Sequence, residues 1–245
     1  MSVRAVRTFQ MDGLQPAGRL VLQGYPLTDG LSELLPWPRL RPGAVVAVTS
    51  RVPVGMTSLI FTILAGPSQA GAWCAVVGAP GVSAAAASRV GICLSRLALV
   101  PDVAGRENQV TGVLLEGMDV VALRSRGPVR PADAARLAAR ARNRGSVLVP
   151  FGAGAAQWPG AAARLTVSRL RWHGLKEGRG LLRYCSVTVS SAVKGRRRDI
   201  TMWPYGRPEI EADGIGRLAP VISLADRQSA RKGGDTSADP GRAVS

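Results

Sequence analysis

The sequence predicts an α/β fold: a mostly parallel sheet with helices on both faces and an antiparallel strand extension towards the C-terminus. Three observations predict it. Short apolar, β-branched runs alternate with helix-length segments between residues 44 and 150. The first run, Ala44 to Val48, leads through a tight loop into Gly55-Met56-Thr57-Ser58 and then directly into Leu59-Ile60-Phe61-Thr62-Ile63-Leu64. After residue 150, strand-like segments follow one another with only Gly- and Arg-rich turns between them. Alternation of strand and helix calls for parallel strands joined by crossovers, and strand following strand calls for antiparallel hairpins.

Taken in order, residues 1–40 form an N-terminal segment in which Thr28 to Leu35 reads as a short helix and Pro36-Trp37-Pro38 as a connector. The core spans 41–207. Ala44 to Val48 is a strand and Thr57 to Leu64 a helix; Trp73 to Val77 is a strand and Ser83 to Leu94 an Ala-rich helix. Leu97 to Val100 is a short strand closed by Pro101-Asp102. Arg106 to Glu116 is a helix weakened at Gly112, which costs about 1 kcal/mol relative to Ala. Met118 to Leu123 is a strand. Pro131 opens a helix at a tolerated first-turn position, and the helix runs to Arg144 before Gly145 ends it. Ser146 to Pro150 is the next strand. Arg164 to Trp172, Leu181 to Ala192 and Arg198 to Trp203 form the antiparallel extension. Residues 208–245 are polar and rich in Gly and Ser, the composition of a disordered tail.

Charge narrows the partners. Lys and Arg number 32 against 16 Asp and Glu, a net +16, which favours polyanions, nucleic acid first. Cys74, Cys93 and Cys185 are odd in number and lack CxxC spacing, so neither a disulfide framework nor a zinc site is expected, and Cys74 and Cys93 read as buried thiols. The start of the chain lacks the apolar region of a secretion signal. No residue from Val52 to Ser88 is charged, yet Pro53, Gly66-Pro67 and Gly78-Ala79-Pro80-Gly81 cut that stretch into runs too short to cross a bilayer. A cytoplasmic location without membrane contact follows.

The loop before the first helix has the outline of a phosphate-binding loop without its chemistry. Such a loop needs an early Gly, so that its backbone can curl around phosphate, and a Lys that reaches the outer phosphates. Here Ser50 stands at the Gly position and Met56 at the Lys position. A thioether cannot neutralise phosphate charge.

The order of elements from about Gly43 to Gly206 resembles the RecA recombinase core, a P-loop NTPase-type fold. The resemblance is clearest at Ala44 to Leu59, Trp73 to Pro80, Met118 to Arg124 and Arg164 to Arg171. The family's P-loop Lys falls on Met56. Its water-activating acid falls near Pro80, and its magnesium-associated Asp falls on Arg124. Only the hydroxyl positions, Thr57 and Ser58, are kept. With an Arg where the metal would need neutralising, the resemblance implies a RecA-like protein without ATP hydrolysis. Among RecA relatives the chain is most similar to the actinobacterial ImuA-type proteins, in Gly178 to Arg183 and Arg197 to Pro204. That resemblance implies a role in DNA damage tolerance (the SOS response, translesion synthesis and induced mutagenesis). The partners it implies are an ImuB-type Y-family polymerase homologue and an error-prone replicative-type polymerase, together forming a mutasome. Of the two DNA-reading loops of RecA, the first corresponds to the basic Arg124 to Arg130 and the second to a contracted Gly/Ala stretch after Pro150.

No catalytic residue, cofactor or metal is assigned; Gly55, Met56, Thr57 and Ser58 are a degenerate loop that closes the strand-to-helix turn. Arg124, Arg126 and Arg130 are candidate contacts for DNA or for an acidic partner, as are Arg196, Arg197 and Arg198 at a hairpin tip following Gly195. Arg136, Arg140 and Arg144 form a basic stripe opposite Ala134, Leu137, Ala138 and Ala141, the pattern of a solvent face. Trp73 and Trp203 read as core and Trp158, in a Gly/Pro loop, as an exposed anchor; no aromatic platform for bases is evident. His173 reads as structural, and Glu107, Glu116 and Asp119 as surface carboxylates. The function read from the chain is a non-catalytic accessory or adaptor. The alternatives are a stand-alone basic DNA-binding protein and a weak or atypical ATPase.

Overall fold

The computed structural model describes residues 24–28, 30–176, 179–193 and 196–206, with backbone alone at 174–176, 179–183, 192, 193 and 196. The expected N-terminal segment before residue 24, the hairpin residue Gly195 and the tail 208–245 lie outside the described residues. The described elements are α1 (Leu31–Leu34), β1 (Val46–Ser50), α2 (Met56–Gln69), β2 (Cys74–Val77), α3 (Ala84–Val90) and β3 (Leu97–Val100), then α4 (Glu107–Gly117), β4 (Val120–Arg124), α5 (Pro131–Arg144), β5 (Val147–Phe151), β6 (Ala163–Lys176), β7 (Arg179–Val193) and β8 (Arg196–Met202). They build one 8-stranded sheet in the order β3-β2-β4-β5-β1-β6-β7-β8. Strands β3 to β6 run parallel to their neighbours, and β6, β7 and β8 pair antiparallel. The expected α/β class with its antiparallel extension is therefore the observed one.

Strands β2, β5, β1 over Val46–Val48 and β4 over Val120–Leu123 are buried on both faces, which is why they read as unbroken apolar runs, and the edge strand β3 is half-buried. On the first face α2 packs over Val46, Val48, Val76, Val149, Leu165 and Val187. Every α2 residue from Ser58 to Pro67 is buried, so this helix is apolar all round and carries no charge. Each of its fully buried Leu, Ile and Phe side chains contributes roughly 1.5–3 kcal/mol. On the second face α4 and α5 cover Val45, Ala47, Val121, Leu123 and Leu148 through Leu115, Leu137 and Ala141. The Arg stripe of α5 faces outwards, as its period predicts.

Several expectations need correction. Helix α2 does not stop at Leu64: it runs to Gln69 with Pro67 inside it, and Gly66 admits the carbonyl of Pro26 where any side chain would collide. The missing N–H of Pro67 falls in the last turn, and burial on all sides holds the helix together there. Cys93 is exposed, although Cys74 and Cys185 are buried thiols, and all three are free. Trp158 is fully buried and fills the second core. Asp119 is buried as well. It accepts the Tyr25 hydroxyl at 2.8 Å on Oδ1 and the Trp73 N–H at 2.7 Å on Oδ2. This carboxylate ties the segment before β1 to the starts of β2 and β4. Burial, then the Asp119 charge, push the Tyr25 phenol well above its ordinary range, so that it stays a donor.

Strand β6 carries a bulge at Ser168: Val167 opposes Val189, Arg169 opposes Thr188 and Leu170 opposes Val187. The extra residue resets the alternation. Leu170 and Trp172 thereby share the first face with Val167, and Arg169 and Arg171 go to the opposite, second face.

Candidate functional site

The loop between β1 and α2 is filled by the chain itself. Ser50 ends β1, and its hydroxyl donates to the Val52 carbonyl at 2.6 Å and accepts the Val52 N–H at 3.2 Å. The turn thus closes locally at the place where an early Gly would leave the backbone open. Gly55 adopts φ +92°, and a Cβ there would stand 2.9 Å from Leu170 Cδ1 and 3.3 Å from Val167 Cγ1. The glycine lets the loop lie directly on β6. Met56, the first residue of α2, packs against the first core together with Val52 and Leu170. Of the two retained hydroxyls, Thr57 is exposed and Ser58 is buried against Tyr205, Oγ to OH 3.2 Å. The arrangement supplies apolar surface where a triphosphate needs cations.

Pro80 follows β2, and Arg124 ends β4, both at the carboxyl edge of the sheet. Pro80 and Arg124 are both exposed. A Cβ on Gly78 would lie 3.4 Å from Glu107 Cγ and 3.6 Å from Arg124 Cβ, so the Glu107 and Arg124 side chains both pass beside this glycine. Glu107 therefore stands beside the sheet end and is only half exposed. The basic loop after β4 is braced against the turn after β5. Ser125 N–H donates to the Phe151 carbonyl at 2.7 Å, Gly154 N–H to the Ser125 carbonyl at 3.1 Å, and the Ser125 hydroxyl to the Gly127 carbonyl at 2.9 Å. Gly154 has no room for a side chain, since a Cβ would run into the Gly127 carbonyl and the Ser125 hydroxyl.

Two adjoining hollows flank this loop. One, about 200 Å³, is lined by Glu107, Asn108, Arg124, Ser125 and Arg126. The other, about 310 Å³, lies between α4 and α5 and is lined by Arg106, Asn108, Gln109, Asp133, Arg136 and Arg140. Asn108 belongs to both. The Arg140 guanidinium lies across α4, with Nη1 2.7 Å from where a Cβ on Gly112 would sit. Gly112 was read from the sequence as a weak point of its helix; here it makes room for that arginine. Among the described residues the ion pairs are Arg144 with Glu116 and Arg197 with Asp199, so none of the arginines lining these hollows makes an ion pair, although Glu107 and Asp133 share the linings. Arg130 precedes α5 and is exposed, and it lines neither hollow named above. Also among the described residues, no three His, Cys, Asp or Glu side chains come together as a metal site, and no helix is long and apolar enough to cross a membrane.

Comparison with known proteins places this geometry in a family. The MT3502 N-terminal domain matches residues 33–160. The Mycobacterium tuberculosis (strain ATCC 25618 / H37Rv) protein Rv3395c is 32% identical over 203 residues, which cover 82% of this chain and 80% of that protein. The chain belongs to the MT3502 N-terminal domain family. The matched stretch carries the filled loop, the basic loop after β4 and both hollows. Among solved structures, a crystal structure of the RadB recombinase is similar at 17% identity, over 70% of this chain and 97% of that one, with a TM-score of 0.45.

The hairpin arginines are not one cluster. Arg197 opposes Ala192 and lies on the second face, where it donates to Asp199 at 3.2 Å and to Ser190 at 3.2 Å. Arg198 opposes Ser191 on the first face and donates to the Glu33 carbonyl at 3.0 Å, satisfying a free carbonyl of α1. The side chain of Arg196 lies outside the described residues. Sequence reasoning also missed an aromatic group beside the loop. Trp172, 49% exposed, stacks on Tyr205 with ring centroids 6.4 Å apart, and the Arg89 guanidinium lies 5.2 Å from the Tyr205 ring centre. Trp203 is half-buried against His173, centroids 5.0 Å apart, rather than in the core. The bulge at Ser168 decides which way Trp172 points, and no residue pattern in β6 announces it.

Proposed function

We propose that this chain is a non-catalytic, RecA-like accessory protein of DNA damage tolerance. It would recruit or support an ImuB-type polymerase homologue and, through it, an error-prone polymerase in the cytoplasm, at the nucleoid. The observation that carries the non-catalytic part is the occupied loop: Ser50 closes on Val52, Met56 packs half-buried against the core and Ser58 is engaged by Tyr205. Each interaction uses a group that a nucleotide-hydrolysing loop keeps free for phosphate or metal. The adaptor part rests on the resemblance to ImuA-type proteins. It is tested by size-exclusion chromatography of the full chain with the ImuB-type protein. Co-elution supports the reading, and separate elution at micromolar concentrations contradicts it.

A second reading, direct binding of DNA, is favoured by Arg106, Arg124, Arg126, Arg136 and Arg140, none of them in an ion pair, which outnumber Glu107 and Asp133 in the two adjoining hollows. Such contacts are electrostatic and sequence-blind. Replacing Arg124 and Arg126 by Glu would weaken binding to every DNA sequence by a similar factor. A sequence-dependent change would contradict it.

A further inference from the structure

The antiparallel extension has two unlike faces. Its first face is core: Leu165, Val167, Cys185, Val187, Val189 and Met202 are buried under α2 and the segment around α1. Its second face begins where α4, α5 and the turn after β5 end their cover, and it is polar. Hydroxyls join its strands sideways: Thr49 to Thr166 at 3.0 Å, Thr188 to Thr201 at 3.0 Å, and Ser186 to His173 Nε2 at 2.9 Å. These rungs lie along a surface three strands wide, about 10 Å from β6 to β8. Antiparallel sheets commonly leave one face in water, so polarity alone assigns nothing.

The sign of the charge does assign something. Over the whole chain basic residues outnumber acidic ones two to one, and this face exceeds that ratio. Arg51, Arg169, Arg171 and Arg197 are exposed on this face, and among the described residues Asp199 is the carboxylate that shares it. Arg197 pairs with Asp199 at 3.2 Å. Arg169 and Arg171 have no carboxylate partner among the described residues, and Arg51 makes no ion pair, although its charge acts on Asp199 from a distance. At the end of the same face, past Arg171, the His173 and Trp203 rings lie together, half-buried. Guanidinium groups spaced along a strand suit successive phosphates, and an aromatic pair beside them suits an unpaired base.

We infer that the second face of β6, β7 and β8 binds the backbone of a single-stranded nucleic acid, through Arg51, Arg169 and Arg171, with a base resting at His173 and Trp203. This surface lies on the opposite side of β1 from the hollows beside β4, and the inference does not depend on the adaptor reading. A chain that recruits no polymerase would still bind here.

The test is a salt titration of the full chain binding fluorescent oligothymidylate. Each phosphate contact contributes about 0.7 to the slope of log affinity against log salt for single strands. Arg169→Glu with Arg171→Glu removes two contacts, so the slope falls by about 1.4. Arg144→Ala, at the exposed end of α5 where Arg144 pairs with Glu116 outside both hollows, leaves it unchanged. Thr201→Arg adds a cation to the face and raises it by about 0.7, which keeps the inference testable should the double variant fold poorly. The inference is overturned by any of these: no binding of the native chain at low salt, an unchanged slope in both the sheet variants, or tighter binding of duplex than of single strand.

Discussion

Removing one hydroxyl tests how the segment before β1 is held. In Tyr25→Phe the ring is kept, so the packing of a fully buried side chain is kept. What goes is the 2.8 Å bond to Asp119 Oδ1, while Oδ2 still accepts from Trp73. Asp119 is 6% exposed, so water does not take the vacated place without rearrangement. A hydrogen bond to a charged group contributes about 1.5–3 kcal/mol, and a stranded buried acceptor costs a similar amount. For a chain of this size 1 kcal/mol shifts Tm by about 2–4 °C, so Tyr25→Phe should melt roughly 3–12 °C lower than the native chain. Asp119→Asn should cost at least as much, because an amide cannot accept from both Tyr25 and Trp73 on separate oxygens. Calorimetry of both variants and of the double variant completes the cycle. A Tyr25→Phe chain melting within 1 °C or so of the native one, on the same scale, would refute the claim that this buried pair anchors the segment.

The other predictions are simpler. Gly154→Ala pushes a methyl group against Gly127 and Ser125, costs about 1–3 kcal/mol and shifts the basic loop; unchanged stability in urea would contradict that bracing. Trp158→Ala empties the second core and costs about 3–5 kcal/mol, whereas a surface anchor would cost little, so urea denaturation separates the two. Cys93 reacts with iodoacetamide in the folded chain, and Cys74 and Cys185 react only after unfolding. The hydrogen bond with Ser95, helped by Arg96, holds the Cys93 thiol below its ordinary range; its labelling rate rises with pH and levels off earlier than that of free cysteine. Burial pushes the Cys74 and Cys185 thiols up, so raising the pH within the neutral range does not expose them; mass spectrometry finding either labelled in the native state would count against the fold.

What could be read from the sequence was the part governed by local pattern. Val46 to Val48 and Val147 to Phe151 are buried on both faces, so they appear as apolar runs, and α5 announces itself by its proline, its Arg stripe and Gly145. The strand-loop-helix outline of the β1–α2 segment was legible too, although α2 runs on past Leu64 to Gln69. Partners distant in the chain were not legible. Asp119 looks like a surface acid until Tyr25, 94 residues away, is seen to reach it. Trp158 sits in a Gly/Pro stretch that reads as exposed, yet the second core beneath α4 and α5 has a space that it fills. The direction of Arg197 against Arg198 follows from strand alternation alone and was available from the sequence once both were placed inside β8 rather than at a tip. The direction of Trp172 was not, because one bulged residue inverts it.

The central claim is that the loop between β1 and α2 no longer serves a nucleotide. Isothermal titration of the full chain with Mg-ATP tests it most directly, with Met56→Lys titrated alongside. The account predicts no heat of binding for the native chain, and none for the variant, because Ser50, Ser58 and Arg124 remain unsuited to phosphate and metal. Saturable binding of Mg-ATP by the native chain at micromolar concentrations, with turnover to ADP, would contradict it.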